Sequence, residues 1–348
     1  MLDTERAARR ATVQPPPAET PGRRPFRPVV WWAAVGAAFV IFQIWLYATW
    51  FLSGDAYRQP MGADPVSGAS KVTAWLLQGG STGALVVVVV YLVRRSRREG
   101  ALTWDAYIAI GFLSVFWQDT LCNYLRPTFI YNSYLVNLGA WYPHVPGWVA
   151  PHFRNIPEPF LLTGPLYGWY FVLFAVAFCA MARRAERRWP RIGRAGLFAI
   201  GVGALFILDM VIEMVFLRAG LFAYSGAIRS LSVWGGRTYQ YPLYEGLFAG
   251  SVTALVGLLR YHRDDRGRSA IERGVDTIGP GRRVTAVRAL AWVGLANVCL
   301  LWVNVSYAWI SLYVDPTPRY PSYMTNGLCG EHSDIACPAP GVPVPTPR

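Results

Sequence analysis

Seven long apolar runs, separated by short polar segments, make up most of the sequence. The first run extends from Val29 to Leu52 without a charged residue. The apolar region of a signal peptide is shorter, about 7–15 residues, so this run predicts a retained helix. About 20 residues of helix cross the roughly 30 Å hydrocarbon layer of a bilayer, so the pattern predicts seven transmembrane helices. The other six runs cover 72–93, 102–124, 159–182, 195–217, 242–260 and 289–313.

Polar tails flank the apolar region at both ends. Residues 1–28 are rich in Arg and Pro and are predicted to form a disordered cytoplasmic tail. Residues 314–348 form a Pro-rich tail after the last run. We therefore predict an all-α protein, in which a polytopic bundle of transmembrane helices over 29–313 lies between two tails.

The composition supports a membrane protein. Hydrophobic residues make up 53% of the chain and charged residues only 15%, against about 25% charged in soluble domains. The 15 Trp and 19 Tyr crowd the ends of the apolar runs, where amphipathic rings lie at a bilayer surface. The expected location is the cell membrane, crossed several times.

The net charge of +13 comes from arginine clusters between the apolar runs. Such clusters are topology signals and contact anionic membrane lipids, so we expect lipid and not nucleic acid as the partner. With the N-terminus inside, the cytoplasmic segments hold 24 of the 33 Lys and Arg residues and the outer segments hold nine. The distribution predicts a cytoplasmic N-terminus and an outer C-terminus.

Motifs for nucleotide or metal chemistry are missing from the sequence. Neither a P-loop nor G-x-G-x-x-G occurs, so we expect no nucleotide. The motif H-E-x-x-H is also missing, so we expect no metal, with His144, His152 and Glu158 as a weaker alternative. Cys329 and Cys337 lie in the predicted outer tail, where a disulfide can form. Two free thiols are the alternative.

Five carboxylic acids in the apolar runs are the strongest indication of a site. A charge in mid-membrane costs about 2.5–3.5 kcal/mol on insertion scales, so such acids are rarely without a role. Asp209 and Glu213 lie four residues apart, on one face of the fifth helix. Asp119 ends the third helix, Glu158 opens the fourth and Glu245 opens the sixth. In the predicted orientation all five converge on the outer side, which predicts a polar pocket that opens outward.

A structural role is the alternative for these acids, and it stays open at this level. In that case they would pair with arginines and hold helices together, the candidates being Arg126, Arg154, Arg218 and Arg229. Asp105, near the inner end of the third helix, is expected to be structural.

Spacing places other polar and small residues on helix faces. Asn297, Asn304 and Ser311 recur every seven residues and are expected to form hydrogen bonds inside the bundle. Gly79-x-x-x-Gly83 and Gly246-x-x-x-Gly250 are spacings that let helices approach closely. Asp119, Asn123 and Arg126 would share one face of the third helix.

The outer segment 123–158 is too long for a simple helical hairpin and is rich in aromatic residues. We predict that it folds over the pocket as a cap, the alternative being an aromatic belt at the membrane surface. Together with neighbouring positions it supplies the candidate substrate-binding residues. These are Asn123, Arg126, Tyr131, Asn132, Trp141, His144, Trp148, Glu158 and Tyr244.

The same region resembles a known family. The resemblance is carried by Trp117-Gln-Asp119, Tyr131-Asn132-Ser-Tyr134-Leu-Val-Asn137-Leu-Gly139-Ala-Trp141, Pro146-Gly147-Trp148 and Glu158-Pro159. These motifs are similar to those of the AveC-like spirocyclase family of actinobacterial membrane proteins, over about 29–313. The resemblance implies secondary metabolism, in which a dihydroxy-ketone polyketide is dehydrated and closed into a spiroketal.

The predicted pocket suits this chemistry. One carboxylic acid must protonate the leaving hydroxyl group while a nearby carboxylate stabilises the oxocarbenium ion, and no cofactor is needed. Asp209 and Glu213 are the predicted acid and carboxylate pair, with Asp119 and Glu245 in support. The sequence therefore predicts a membrane cyclase or dehydratase that acts on an apolar, hydroxylated small molecule. The alternatives are a transporter or lipid-binding protein that uses the same acids for recognition, and a scaffold subunit.

Overall fold

A computed structural model describes residues 27–119, 121–150, 156–279, 281–315, 318–325, 328–329 and 336–337. Most of the predicted disordered N-terminal tail lies outside these ranges. So do His152 and Arg154, which the sequence analysis considered as a metal ligand and an ion-pair partner.

Six long helices form the body of the protein, and each is long and apolar enough to cross a membrane. The prediction of a helical membrane protein is confirmed. The helices are α1 Pro28–Leu52, α2 Gly68–Glu99, α4 Thr163–Arg188, α5 Arg194–Arg218, α6 Leu243–Tyr261 and α7 Arg282–Ile310.

The third apolar run does not form one long helix. Helix α3, Trp104–Leu113, has 10 residues and is therefore about 15 Å long, half the thickness of the hydrocarbon layer. Two short 3-10 turns follow it, Phe116–Gln118 and Leu121–Asn123. The predicted continuous helix over 102–124 is therefore wrong, and Asp119, Asn123 and Arg126 do not share a helix face.

Side chains of α7 stabilise the chain where α3 ends. The Trp117 indole N–H and the Gln118 amide donate to Asn297 Oδ1 at 2.7 and 2.9 Å. The Asn304 amide donates to the Gln118 carbonyl at 3.0 Å. Non-helical backbone at membrane depth needs such buried partners. Asn297 and Asn304 thus form the expected bundle hydrogen bonds, whereas the Ser311 hydroxyl donates within α7, to the Ala308 carbonyl.

Glycines set the closest helix crossings. A Cβ at Gly294 would clash with the Trp32 carbonyl of α1, and one at Gly250 would lie 2.7 Å from the Val202 carbonyl of α5. The pairs α1–α7 and α5–α6 therefore pack backbone to backbone. A Cβ at Gly79 or Gly83 would meet nothing within 4 Å, so this pair makes no helix contact among the described residues.

Asp105 lies at the end of the bundle that carries the arginine clusters. Arg260 Nε approaches its Oδ1 at 2.6 Å, and Arg95 lies 3.6 Å from its Oδ2. The carboxylate is buried. These ion pairs give Asp105 the structural role expected for it.

A cap of connecting segments covers the opposite end. It consists of the described residues of 114–162, 219–242 and 311–325. Strand β1, Ile130–Tyr131, pairs antiparallel with β2, Phe222–Ala223, and so joins the first two segments. Strand β3, Ser232–Val233, pairs with β4, Tyr241–Pro242. The cap aromatics Tyr131, Trp141 and Tyr142 are buried, which fits a folded cap better than a surface belt.

The C-terminal segment packs against the cap through the short helix α8, Ser322–Thr325. Tyr320, Met324 and Leu328 are buried, so this part of the predicted Pro-rich tail is packed. The Ser322 backbone N–H donates to Asp64 at 2.7 Å, and this bond lowers the pKa of the Asp64 carboxyl group. Cys329 and Cys337 are joined by a disulfide.

Candidate functional site

A cavity of about 160 Å³ lies beneath the cap, between α4, α5, α6 and α7. Asp119, Asp209, Glu213 and Glu245 all line it. These are the four carboxylates predicted to carry the chemistry, and the structure brings them together from three separate segments of the chain.

Local structure explains how each acid reaches the cavity. Asp209 and Glu213 lie one turn apart on α5, and Glu245 lies in the first turn of α6. Asp119 directly follows the turn Phe116–Gln118. The break after α3 therefore turns Asp119 into the cavity.

Tyrosine hydroxyl groups bind both oxygens of two carboxylates. Tyr131 and Tyr167 donate to Asp119 Oδ2 and Oδ1 at 2.5 and 2.8 Å. Tyr170 donates to Asp209 Oδ1 at 2.6 Å, and Tyr241 donates to Oδ2 at 3.2 Å. Hydrogen bonds of this kind stabilise the ionised form of a carboxyl group.

The two glutamates accept fewer tyrosine hydrogen bonds than the two aspartates. Tyr224 donates to Glu213 Oε2 at 2.6 Å. The Tyr307 hydroxyl lies next to Glu245, but its geometry falls short of a hydrogen bond. Glu213 is close enough to Asp209 and Glu245 for electrostatic interaction with both.

Arginine does not neutralise these four acids in the described part of the chain. Arg126 instead donates to the Ser311 carbonyl at 3.1 Å. Arg218 stacks on the Trp234 and Tyr239 rings, and the backbone N–H of Arg229 donates to Asp315. Pairing with Arg154 lies outside the described residues. Four ionised carboxyl groups this close together and buried would repel one another strongly.

Among the predicted binding residues, Tyr131 lines the cavity and Glu158 lies next to it. Glu158 is fully buried, accepts the Tyr142 hydroxyl at 2.7 Å and contacts the Asp119 carboxyl group. Tyr244 packs its ring on Tyr307, at 5.3 Å between centroids. These residues support the cavity from the cap side.

Other predicted binding residues serve the cap itself and do not line the cavity. Asn123 Oδ1 accepts the backbone N–H groups of Thr128 and Phe129, both at 2.8 Å. Asn132 donates to the Gly220 carbonyl. In the same way, Arg126, Trp141 and Trp148 bond to backbone carbonyls.

His144 lies away from the cavity, with its Nε2 at 2.9 Å from Asp55 Oδ2 and 3.2 Å from Ser53. The described residues contain no group of three or more His, Cys, Asp and Glu side chains that could hold a metal ion. The weaker metal alternative also relied on His152, which is outside the described residues.

Sequence reasoning missed most of the tyrosines that bind the acids or lie beside them. Placing an uncharged phenol in an apolar run costs little free energy, so a tyrosine there does not by itself indicate a functional site. The available signal was position, because Tyr224 and Tyr241 lie in the segment between the runs that carry Glu213 and Glu245, and the others lie within apolar runs. The missed residues are Tyr167, Tyr170, Tyr224, Tyr241 and Tyr307.

Comparison with known proteins identifies a family but no individual relative. The family model described as Spirocyclase AveC-like matches residues 96–322. This range contains nearly all of the cap, α3 to α7 and all four cavity carboxylates. Comparison with curated proteins and with solved structures found no match. The match covers well over half of the chain, and the protein therefore belongs to the AveC-like spirocyclase family.

Proposed function

We propose that this protein is an integral membrane cyclase that closes a dihydroxy-ketone polyketide, or a related lipid, into a spiroketal with loss of water. The observation that carries the proposal is the cavity itself, in which four carboxyl groups meet a set of tyrosine hydroxyls. Family membership supports a role in polyketide modification.

The proposed reaction needs a proton donor, a proton acceptor and negative charge. One hydroxyl of the substrate adds to its ketone and forms a cyclic hemiketal. Protonation of the hemiketal hydroxyl then lets it leave as water, with the bonding electron pair, and an oxocarbenium ion remains. The second hydroxyl attacks that carbon and gives up its proton. The sum is the loss of one water, so no oxidant or cofactor is needed.

The cavity residues provide these elements. Asp209, which accepts two tyrosine hydroxyls, stays ionised and places negative charge beside the cation. Glu213 and Glu245, with fewer hydrogen bonds, exchange protons with the substrate, and Asp119 completes the acidic set. The faces of the tyrosine rings add cation–π stabilisation.

The size of the cavity limits what it holds. A space of about 160 Å³ is close to the roughly 150 Å³ cavity that takes up one benzene, and below the roughly 300–1,000 Å³ of usual ligand pockets. We infer that only the ring that forms enters the cavity. The rest of an extended apolar substrate lies outside it.

We further propose that the protein lies in the plasma membrane with its N-terminus inside and the cap outside. The arginine-rich ends of α2, α4 and α6 all lie at the end away from the cap, as the positive-inside rule requires. The short α3 and its 3-10 turns complete the seventh passage.

The test of this proposal is conversion by the purified protein in lipid nanodiscs. A synthetic dihydroxy-ketone is incubated with native or heat-denatured protein, and the spiroketal stereoisomers are separated by chiral chromatography. Closure in buffer gives a mixture, whereas a shaped site gives one isomer at an increased rate. Saturable binding of the precursor without faster closure would contradict the cyclase and support a transporter or lipid-binding protein.

A further inference from the structure

The hydrogen bonds around the cavity divide its carboxyl groups into two kinds. Asp119 and Asp209 each use both oxygens to accept tyrosine hydroxyls. Glu213 uses Oε2 only. Glu245 lines the same cavity and interacts with the Tyr307 hydroxyl, without a well-formed hydrogen bond.

The Tyr307 hydroxyl likewise makes no well-formed hydrogen bond to a carboxylate. It is buried, lines the cavity and interacts with Glu245, but it makes no well-formed hydrogen bond among the described residues. The other cavity tyrosines donate to carboxylates, namely Tyr131, Tyr167, Tyr170 and Tyr224. Tyr307 and Glu245 thus face each other across the cavity wall, and an oxygen atom of a substrate can be bound by both.

We propose that Glu245 is the general acid of the cyclisation and that Tyr307 positions the leaving hydroxyl group against it. The inference rests on the proposed function. A general acid must direct its O–H at the substrate, and a carboxylate that already accepts two tyrosine hydroxyls, such as Asp209, is held in its ionised form instead. Glu245 lacks the two well-formed tyrosine hydrogen bonds of Asp209, so its buried side chain rests in the neutral form.

The proton balance gives Glu213 the complementary role. Glu245 gives its proton to the hemiketal hydroxyl, which leaves as water. The second hydroxyl of the substrate attacks the oxocarbenium carbon, and its proton passes to the free Oε1 of Glu213. Transfer of this proton from Glu213 back to Glu245 resets the site.

The position of Glu245 helps the forward step. It lies in the first turn of α6, where the partial positive charge of the helix N-terminus stabilises a carboxylate. The charge that forms on Glu245 as it gives up its proton is therefore stabilised when the cation forms.

A substrate that needs no acid tests the assignment. In a mixed ketal with a nitrophenoxide in place of the hemiketal hydroxyl, the leaving group departs without protonation. We expect E245Q to lower turnover of the dihydroxy-ketone by about 10²–10⁴-fold, yet to stay within about tenfold of the native protein on the aryl ketal. Asp209→Asn should lose activity on both substrates, because the cation forms in both.

Further variants complete the experiment. Glu186→Gln is the matched control, because Glu186 also accepts a tyrosine hydroxyl, from Tyr261, but at the other end of α4. It should leave both activities unchanged. E245D keeps a proton donor with shorter reach and should recover part of the dihydroxy-ketone activity. Tyr307→Phe should lower that activity about tenfold, the effect of one lost hydrogen bond.

The outcomes separate the two claims. If E245Q is impaired equally on both substrates, Glu245 is not the acid, although the cyclase proposal stands. If E213Q and not E245Q recovers on the aryl ketal, the roles are reversed. If the native protein accelerates neither reaction, the cyclase proposal itself fails.

Discussion

At the scale of single residues, the buried acids fall into two classes with different partners. Asp105 is bound by Arg260 and Arg95, whereas the cavity acids are bound by tyrosines. The first class holds the structure together, because the charges cancel. The second class places carboxyl groups beside tyrosine hydroxyls in the interior, and we propose that this arrangement keeps their protons available for chemistry.

The structural class gives a stability prediction. Asp105→Asn should lower the free energy of unfolding by about 3 kcal/mol, because it leaves the half-buried Arg260 without its counter-charge. Glu99→Gln removes an exposed partner of Arg95 and should cost under about 1 kcal/mol. Thermal unfolding of both variants in detergent measures the difference. Equal effects would mean that the Asp105 pair is not a structural contact.

The acids could be found from the sequence because a charge in an apolar run is costly wherever it lies. Their tyrosine partners could not be found in this way, because an uncharged phenol in a membrane helix has no comparable free-energy cost. Asn123 and Asn132 were overestimated for a related reason. A polar residue in a loop can bind a ligand or the loop's own backbone, and only the folded cap shows that these two bind backbone groups.

At the scale of elements, hydropathy predicted six helices well and one badly. The run 102–124 is apolar enough to span, but its Ser114, Trp117 and Gln118 side chains bond to Asn297, about 180 residues later in the chain. The hydropathy of residues 102–124 contains no information about Asn297, so it could not predict that the helix ends early. The cap strands depend on similar long-range pairing, so their register was also beyond prediction.

The crossing of α1 and α7 gives a second prediction. Gly294→Ala places a methyl group against the Trp32 carbonyl, and such overpacking costs about 1–3 kcal/mol. Gly79→Ala is the control, because its methyl group meets nothing within 4 Å and alanine favours a helix. Unfolding temperatures of the two variants measure the contrast. A stable Gly294→Ala protein would show that the two helices do not cross here.

At the scale of the whole molecule, orientation decides which side of the membrane the cavity serves. Ala270 lies among the arginine-rich segments and Thr238 lies on the cap, and both are exposed. In intact cells, a cysteine at position 238 should react with a membrane-impermeant thiol reagent, and one at 270 should not. The free cysteines of the described chain are buried and give little background. Labelling at 270 alone would reverse the orientation.

The disulfide gives a further prediction for the outer side. Non-reducing peptide mass spectrometry should find the peptides of Cys329 and Cys337 linked, because the cap faces an oxidising space in the proposed orientation. Reduction should separate them. Complete alkylation of both thiols without reductant would contradict both the bridge and the outer location of the segment.

The central claim is that the cavity carboxylates carry the reaction and do not simply hold the helices together. Its most direct test measures turnover and unfolding temperature on the same preparations of Asp209→Asn, Glu213→Gln and the control Glu186→Gln. Each amide keeps the shape of the side chain and buries no new charge. We predict that the two cavity variants lose at least about 100-fold in turnover while their unfolding temperatures stay within about 4 °C of the native protein, and that the control changes neither. Cavity variants that keep turnover but unfold at clearly lower temperature would show that these acids are structural, and the cyclase account would be wrong.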